Sequence, residues 1–398
     1  MAFNMHPASN QVRAPFNGIL NVNEVFSTLH NAIIKEVVRY PELANNYNFI
    51  NMFKEEGSKF GDTVTYTSMD VLRSREWEGD NEAMNLLALE RPEDPNVQAI
   101  TINKYRIVKT STDSYLSARA WGTETAFSAF TGVIKSLVGK TKELYETTML
   151  NCFLGCMEGD AEKSGDTVEL AQIEADELTA DAQRLKAQKI GETLANLFVD
   201  MKDYNRDYNS YGYMRAYNED DIVVIWNSEW INTIQKNSLP TIFNAQGLID
   251  KFKQHVLPAK YFGDVVDDIS GHTGLTLESN GKIKIGSGYS GPQLVTMEEI
   301  TVYDVDGKTI LRHYFPGEKL SLNDEFVPGT AYIPNKKIIC KVITKDSVKY
   351  MAGFTVSHEF QNPQALTTSN MLIWAYAEPT LMLDQPCFTL KADTNPSK

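Results

Sequence analysis

Between Trp121 and Met157 the chain reads WGTETAFSAFTGVIKSLVGKTKELYETTMLNCFLGCM, a stretch without proline. Phe127, Phe130, Ile134, Leu137/Val138, Tyr145, Met149, Cys152 and Cys156 recur every three or four residues, which puts them on one face of an α-helix. At 1.5 Å per residue such a helix is roughly 55 Å long, well beyond the usual three or four turns. Gly132 and Gly139 interrupt it, and each costs a helix about 1 kcal/mol relative to alanine. Alone it is a mediocre helix. Its stripe predicts a sheet beneath that holds it straight, and the fold has to house that rod.

The flanking segments narrow the choice. Residues 1–20 are polar, contain Pro7 and Pro15, and read as an extended arm. Val22, Val25/Phe26, Leu29, Ile33 and Val37 predict a helix over about 22–40, ended by Pro41. Residues 61–72 (GDTVTYTSMDVL) and 97–110 (VQAITINKYRIVKT) are rich in Thr, Val, Ile and Tyr and read as strands. The long acidic connection between them contains one apolar knot, Leu86–Leu89. A two-stranded arm buries little and leaves edges that invite association, so it suits contact with another molecule. Arg73, Arg75, Glu76, Trp77 and Glu78, with Leu86 and Leu87, are its candidate contact residues.

After the rod, 158–182 is acidic and ambiguous. A second amphipathic helix follows near 183–202, with Ala187, Ile190, Leu194, Leu197/Phe198 and Met201 on its face. The segment 204–218, YNRDYNSYGYMRAYN, has too little aliphatic content for a core element. Tyr208, Tyr211 and Tyr213 suit a contact surface, being large and amphipathic; a solvated loop fits the same composition. DIVVIW (221–226) reads as a buried strand, and SEWINTIQKN opens a helix capped by Asn227 or Ser228. From about 275 to 360 the chain is β-rich, with hairpin signals at Asn280-Gly281 and Asp306-Gly307. Residues 370–390 give two strand-like pieces broken at Glu378-Pro379. The order is an α+β layout.

Composition and motifs say what to exclude. A formal charge of −14 argues against sequence-independent binding to phosphates. Four cysteines are no disulfide scaffold, and Cys152 and Cys156, at i and i+4 on the stripe, read as small core residues. The segment GSGYSG (286–291) matches a dinucleotide fingerprint literally, but a strand pattern follows where a helix is needed. DVDGK (304–308) lacks the further ligands of a calcium loop, and HEFQN (358–362) has Asn362 where a zinc protease needs its second histidine. The six histidines never pair at ligand spacing. No catalytic residue, cofactor site or metal site is therefore expected. Neither a secretory leader nor a membrane span is visible, so a protein of the cytoplasm is the expectation.

In their order, GDTVTY, the acidic connection, INKYRIVKTSTDSYLSARAW and the long helix resemble the major capsid proteins of tailed bacteriophages, the Hong Kong 97 type. IVVIWNSEWINTIQKN, HVLPAKYFGDV and NMLIWAYAEPTLMLDQPCFTL are similar to later parts of that fold. The resemblance implies an N-terminal arm (1–50), an extended β-hairpin loop (51–120), and a peripheral domain (121–219) with a spine helix at 121–157. It further implies a β-rich axial domain (220–350) and a return to the peripheral sheet (351–398). It implies a structural head protein that self-assembles through hexamers and pentamers into an icosahedral shell around the double-stranded DNA of a tailed phage. A separate scaffolding protein, a portal, and maturation or decoration proteins are the implied partners, with assembly in the host bacterial cytoplasm and no membrane. Some members cross-link through a loop lysine, but residues 73–96 contain none; Lys54, Lys59 and Lys104 flank the loop. A non-covalent shell is expected. An encapsulin-like compartment shell and an unrecognised α+β enzyme or ligand-binding protein are the alternatives.

Overall fold

The computed structural model describes residues 48–56, 61–74, 76–77, 91–113, 124–159, 167–170, 180–237, 253–265, 275–277, 282–285, 289, 293–303, 310–321, 326–328, 331–364, 367–393 and 395. The expected arm and first helix lie outside them. In chain order the first elements are β1 (Lys54–Glu56), β2 (Thr63–Ser68), β3 (Asn96–Thr101), β4 (Lys104–Asp113), α1 (Glu124–Cys156), β5 (Thr167–Val168) and α2 (Ala180–Lys202). Then come β6 (Ile222–Asn227), α3 (Ser228–Asn237), β7 (Lys253–Leu257), β8 (Gly263–Val265), β9 (Leu275–Leu277), β10 (Lys282–Ile285), β11 (Ile300–Tyr303) and β12 (Ile310–Tyr314). The last are β13 (Phe326–Pro328), β14 (Tyr332–Pro334), β15 (Ile338–Thr344), β16 (Val348–Asn362), β17 (Thr367–Tyr376), β18 (Thr380–Leu381) and β19 (Cys387–Ala392). The chain divides into two compact units. The first takes in Tyr105–Leu144 and Phe354–Ala375; the second takes in Tyr47–Lys104, Tyr145–Gly353 and Tyr376–Lys398.

The second unit is built on a sheet of order β5-β19-β15-β6-β7. β15 pairs antiparallel with both β6 and β19, whereas β6 pairs parallel with β7 through the crossover helix α3. Asn227 caps α3, its Oδ1 accepting from the Glu229 amide at 3.1 Å. Both faces of this sheet are covered, which is why β6 (IVVIWN) and β15 (IICKVIT) are near-continuous apolar runs. Ile222, Val224 and Trp226 join a core with Ile190, Leu194 and Phe198 of α2 and Trp230 of α3. The alternate residues Val223 and Ile225 pack with Cys152, Leu154 and Cys156 at the end of α1. A third, smaller core gathers Tyr289, Leu294, Tyr314, Leu320 and Ala331. The two hairpin signals correspond to antiparallel pairs, β9 with β10 and β11 with β12. β19, expected to return to a peripheral sheet, pairs with β15 and β5 instead.

The rod is present, at Glu124–Cys156. From Tyr145 onward, however, it is more than a one-sided stripe: Glu146 and Asn151, polar by type, are as buried as Met149 and Cys152. Glu146 accepts from Lys54 Nζ at 2.9 Å and from the Tyr350 hydroxyl at 3.2 Å, so its burial is compensated. Lys341, the one charged residue in the β15 run, is also fully buried and donates to the Met157 carbonyl, just past the end of α1. A cation at that carbonyl end is where the helix dipole favours one.

In the first unit β4, β17 and the far part of β16 form a sheet of order β16-β17-β4. Ser111 and Ser369 hydroxyls bond at 2.8 Å across β4 and β17. From the first-unit part of α1, Lys135 bonds Glu359 and Lys142 bonds Thr355 of β16.

Candidate assembly interface

Among the described residues β2 and β3 pair only with each other, in register from Thr63↔Thr101 to Ser68↔Asn96. One face alternates inward, and Ile100 and Ile102 anchor the base of the ladder in buried positions. Past Ser68 the apolar side chains turn outward: Val71 is 55 % exposed, Leu72 75 % and Trp77 83 %. Arg73 pairs with Glu93 across the two legs of the loop, both side chains in solvent. Glu76 is likewise exposed. Arg75, Glu78, Leu86 and Leu87 lie outside the described residues.

The tyrosine-rich segment takes a different position from the one its composition suggests. Tyr208 and Tyr217 belong to the α2-side core, Tyr213 is buried as well, and Tyr211 is half-buried beside it with ring centroids 5.4 Å apart. The reason is the hairpin. The Tyr213 hydroxyl donates to the Ser68 carbonyl at 3.3 Å and accepts from Asn96 Nδ2 at 2.6 Å. Arg215 donates to the Met69 carbonyl at 3.0 Å. Asp70 accepts from the Met214 amide at 2.9 Å, the Val71 amide at 2.8 Å and Arg206 at 2.5 Å. The Met214 amide first, and then Arg206, hold the Asp70 carboxyl down at about 2. Residues 205–217 thus form a seat at the far end of the ladder, the root from which the connecting loop leaves. None of Asp70, Asn96, Arg206 or Arg215 carries a local sequence signal, because the partners are far apart in the chain.

The chemistry nearby is quiet. All four cysteines are free and buried, and burial pushes the Cys152 thiol up to about 12 and that of Cys387 to about 11. Among the described residues no group of three or more His, Cys, Asp or Glu side chains could hold a metal ion. No helix among them is long and apolar enough to cross a membrane. Lys54 and Lys104 at the hairpin's flanks are engaged within the chain, Lys54 with Glu146 at 2.9 Å and Lys104 with Glu378 at 2.6 Å. Lys59 lies outside the described residues.

Residues 12–376 match the family model of the Phi29-like phage major capsid protein. The chain belongs to that family. As a phage major capsid protein it has a structural role in the capsid of a virion, and capsid proteins self-assemble into shells. Its fold is the phage capsid fold that the order of elements implied. A chain from the capsid structure of Staphylococcus phage Andhra superposes with a TM-score of 0.55 at 11 % identity, over 90 % of this chain and 87 % of that one. One from a structure of native bacteriophage P68, described by its head fiber and an inner core protein, gives 0.54 at 12 % identity over 90 % and 87 %. At such identities the likeness is one of fold. Comparison with curated protein sequences finds no match.

Proposed function

We propose that this chain forms the wall of an icosahedral head around the double-stranded DNA of a tailed phage, in hexamers and pentamers. The observation that carries this reading is the two-stranded hairpin, seated at the loop end of its ladder and continuing into exposed Val71, Leu72 and Trp77. A ribbon of two strands is marginal in water by itself, so its apolar end belongs against a neighbouring copy. Arg73, Glu76 and Trp77 would meet that neighbour first, with Arg75, Glu78, Leu86 and Leu87 further along the loop. Tyr211 offers part of its ring, Tyr213 contributes by holding the root of the connecting loop, and Tyr208 lies in the core behind it. Lys54 and Lys104, tied into intrachain ion pairs, favour a non-covalent shell. The charge of −14 leaves enclosed DNA free to slide along the wall. We assign the chain no catalytic role. A separate scaffolding protein, a portal, and maturation or decoration proteins complete the proposed assembly, which takes place in the host cytoplasm.

The test is electron microscopy and sedimentation of the full chain, expressed alone and together with a scaffold from its own phage. Uniform shells or capsomers are the expected result. Persistent monomers under both conditions would refute the reading.

A further inference from the structure

The surroundings of Asp70 point to a task beyond stabilising the subunit, and the argument rests on the capsid reading above. We propose that Asp70 is a positioning residue of assembly: with Arg206, Tyr213 and Arg215 it fixes the direction in which the loop connecting β2 and β3 leaves the subunit, and so the curvature at which neighbouring copies meet.

Among the described residues no third strand pairs with β2 or β3, so their ladder sets their mutual register. The direction of the connecting loop has to come from its root, at Ser68 and Asn96. There the polar contacts converge on three successive residues: the Ser68 carbonyl takes the Tyr213 hydroxyl, the Met69 carbonyl takes Arg215, and the Asp70 carboxylate takes the Met214 amide and Arg206. On the opposite strand Asn96 reaches the same Tyr213 hydroxyl, and Gln98 bonds the Leu381 carbonyl at 2.7 Å and the Leu383 amide at 3.1 Å. Both legs of the ribbon are therefore gripped.

The grip is itself stiff. Arg206 also donates to the Gly212 carbonyl at 2.7 Å, and Asn209 closes the turn by bonding the Tyr213 amide and carbonyl, each at 2.8 Å. Gly212 sits at φ +65, where residues with a side chain are strained. The Ser210 amide donates to the Leu383 carbonyl at 2.9 Å, joining the two halves of the seat. Asp70 is the charged member of this grip on the hairpin side, one residue before the exposed apolar end. Charge-assisted bonds of this kind are roughly twice as strong as neutral ones.

Leverage makes the root matter. The stretch 71–77, exposed at Val71, Leu72 and Trp77, can reach up to about 20 Å beyond the seat, so a tilt of about 10° there moves its far end by about 3–4 Å. That is a whole carbon–carbon contact distance. The seat consists of a handful of side-chain bonds and not a β-ladder, so one substitution can free the loop's direction while the cores stay intact.

The experiment compares the full-length wild type with Asp70→Ala, Asp70→Asn and Arg215→Gln under conditions in which the wild type forms particles. Three readouts are needed: the circular-dichroism melt, hydrogen exchange at the Val71 and Met214 amides, and particle yield and diameter by electron microscopy. Asp70→Ala is expected to melt within a few degrees of the wild type and to exchange Met214 at least tenfold faster. Its yield of regular particles should fall at least tenfold, replaced by free capsomers or shells of irregular curvature. Asp70→Asn keeps an acceptor for the amides and should lose less. Faster exchange in Asp70→Ala with particles of wild-type yield and diameter would overturn the proposal. Should Asp70→Ala fail to fold, Asp70→Asn and Arg215→Gln decide it: regular particles at wild-type yield from both would overturn it equally. A wild type that never assembles overturns the capsid reading and this proposal with it, a result recognisable because no variant is involved.

Discussion

Replacing Gly155 by alanine sets helix propensity against packing. In a helix interior the change from glycine to alanine gains about 1 kcal/mol. That gain applies at Gly132 and Gly139, where an added Cβ would meet nothing within 4 Å. At Gly155 the same methyl would stand 2.1 Å from the Tyr261 carbonyl oxygen and 2.6 Å from its carbon. Both are backbone atoms of the 3-10 turn Ala259–Tyr261, so no rotamer change relieves the clash. α1 and the turn must part by about an ångström to restore contact distance. The turn has little freedom to yield: the Tyr332 hydroxyl donates to the Lys260 carbonyl at 3.0 Å, and the Asn335 amide to the Phe262 carbonyl at 2.9 Å. Overpacking of a closed core costs about 1–3 kcal/mol. Taking about 3 kcal/mol here and setting about 1 kcal/mol of propensity against it leaves a net loss of about 2 kcal/mol. Thermal unfolding of the dissociated chain should show a midpoint lowered by about 4–8 °C, at about 2–4 °C per kcal/mol for a domain of 150–250 residues. Gly139→Ala, the control, should rise by about 2–4 °C. A Gly155→Ala midpoint equal to or above that of the wild type would refute the packing argument.

The Glu146 site gives a graded series: Glu146→Ala strands the buried Tyr350 hydroxyl and the half-buried Lys54 ammonium and should cost about 3 kcal/mol, whereas Tyr350→Phe removes one bond to the carboxylate and should cost about 1.5 kcal/mol, both read from urea midpoints. Iodoacetamide followed by mass spectrometry should leave all four cysteines of the native protein unmodified and label all four after denaturation, since each is buried and burial raises its thiol. The seat should loosen only in strong acid. Because the Asp70 carboxyl is held at about 2, below an unfolded value of about 3.9, its contribution is complete above about pH 4 and is lost as pH falls towards 2. Exchange of the Met214 amide, corrected for its intrinsic rate, should stay flat from about pH 7 to about pH 4 and climb below about pH 3. A climb already at pH 5–6 would place the controlling group elsewhere.

The elements that sequence reading found are those whose signal is local. The α1 stripe, the alternation in β2 and β3, the apolar run of β6 and the cap at Asn227 each lie within a few residues, and each stands where expected. The seat was illegible because Asp70 and Met214 meet only through the tertiary fold. The low aliphatic content of 204–218 suggests a contact surface or a solvated loop for Tyr208 and Tyr213, yet a buried tyrosine needs only one acceptor, and Ser68 supplies it for Tyr213. Lys341 would be placed facing water on composition alone, but the end of α1 offers it a carbonyl inside the core. The pairing of β19 with β15 was also hidden, since apolar strands of equal length carry little information about which neighbour they choose. At the candidate interface, the exposed end with Trp77 was legible from composition, and the root that aims it was not.

Strand β19 has one more consequence, in the timing of synthesis. It lies between β5 and β15, and Phe388 and Leu390 complete the core that α2 and α3 cover. At about 5–20 residues per second, a ribosome needs a few seconds to travel from β15 to the end of β19. Until Ala392 has been added, β15 keeps an open edge and the sheet has a missing member. A chain broken off before that point lacks the strand that completes this core.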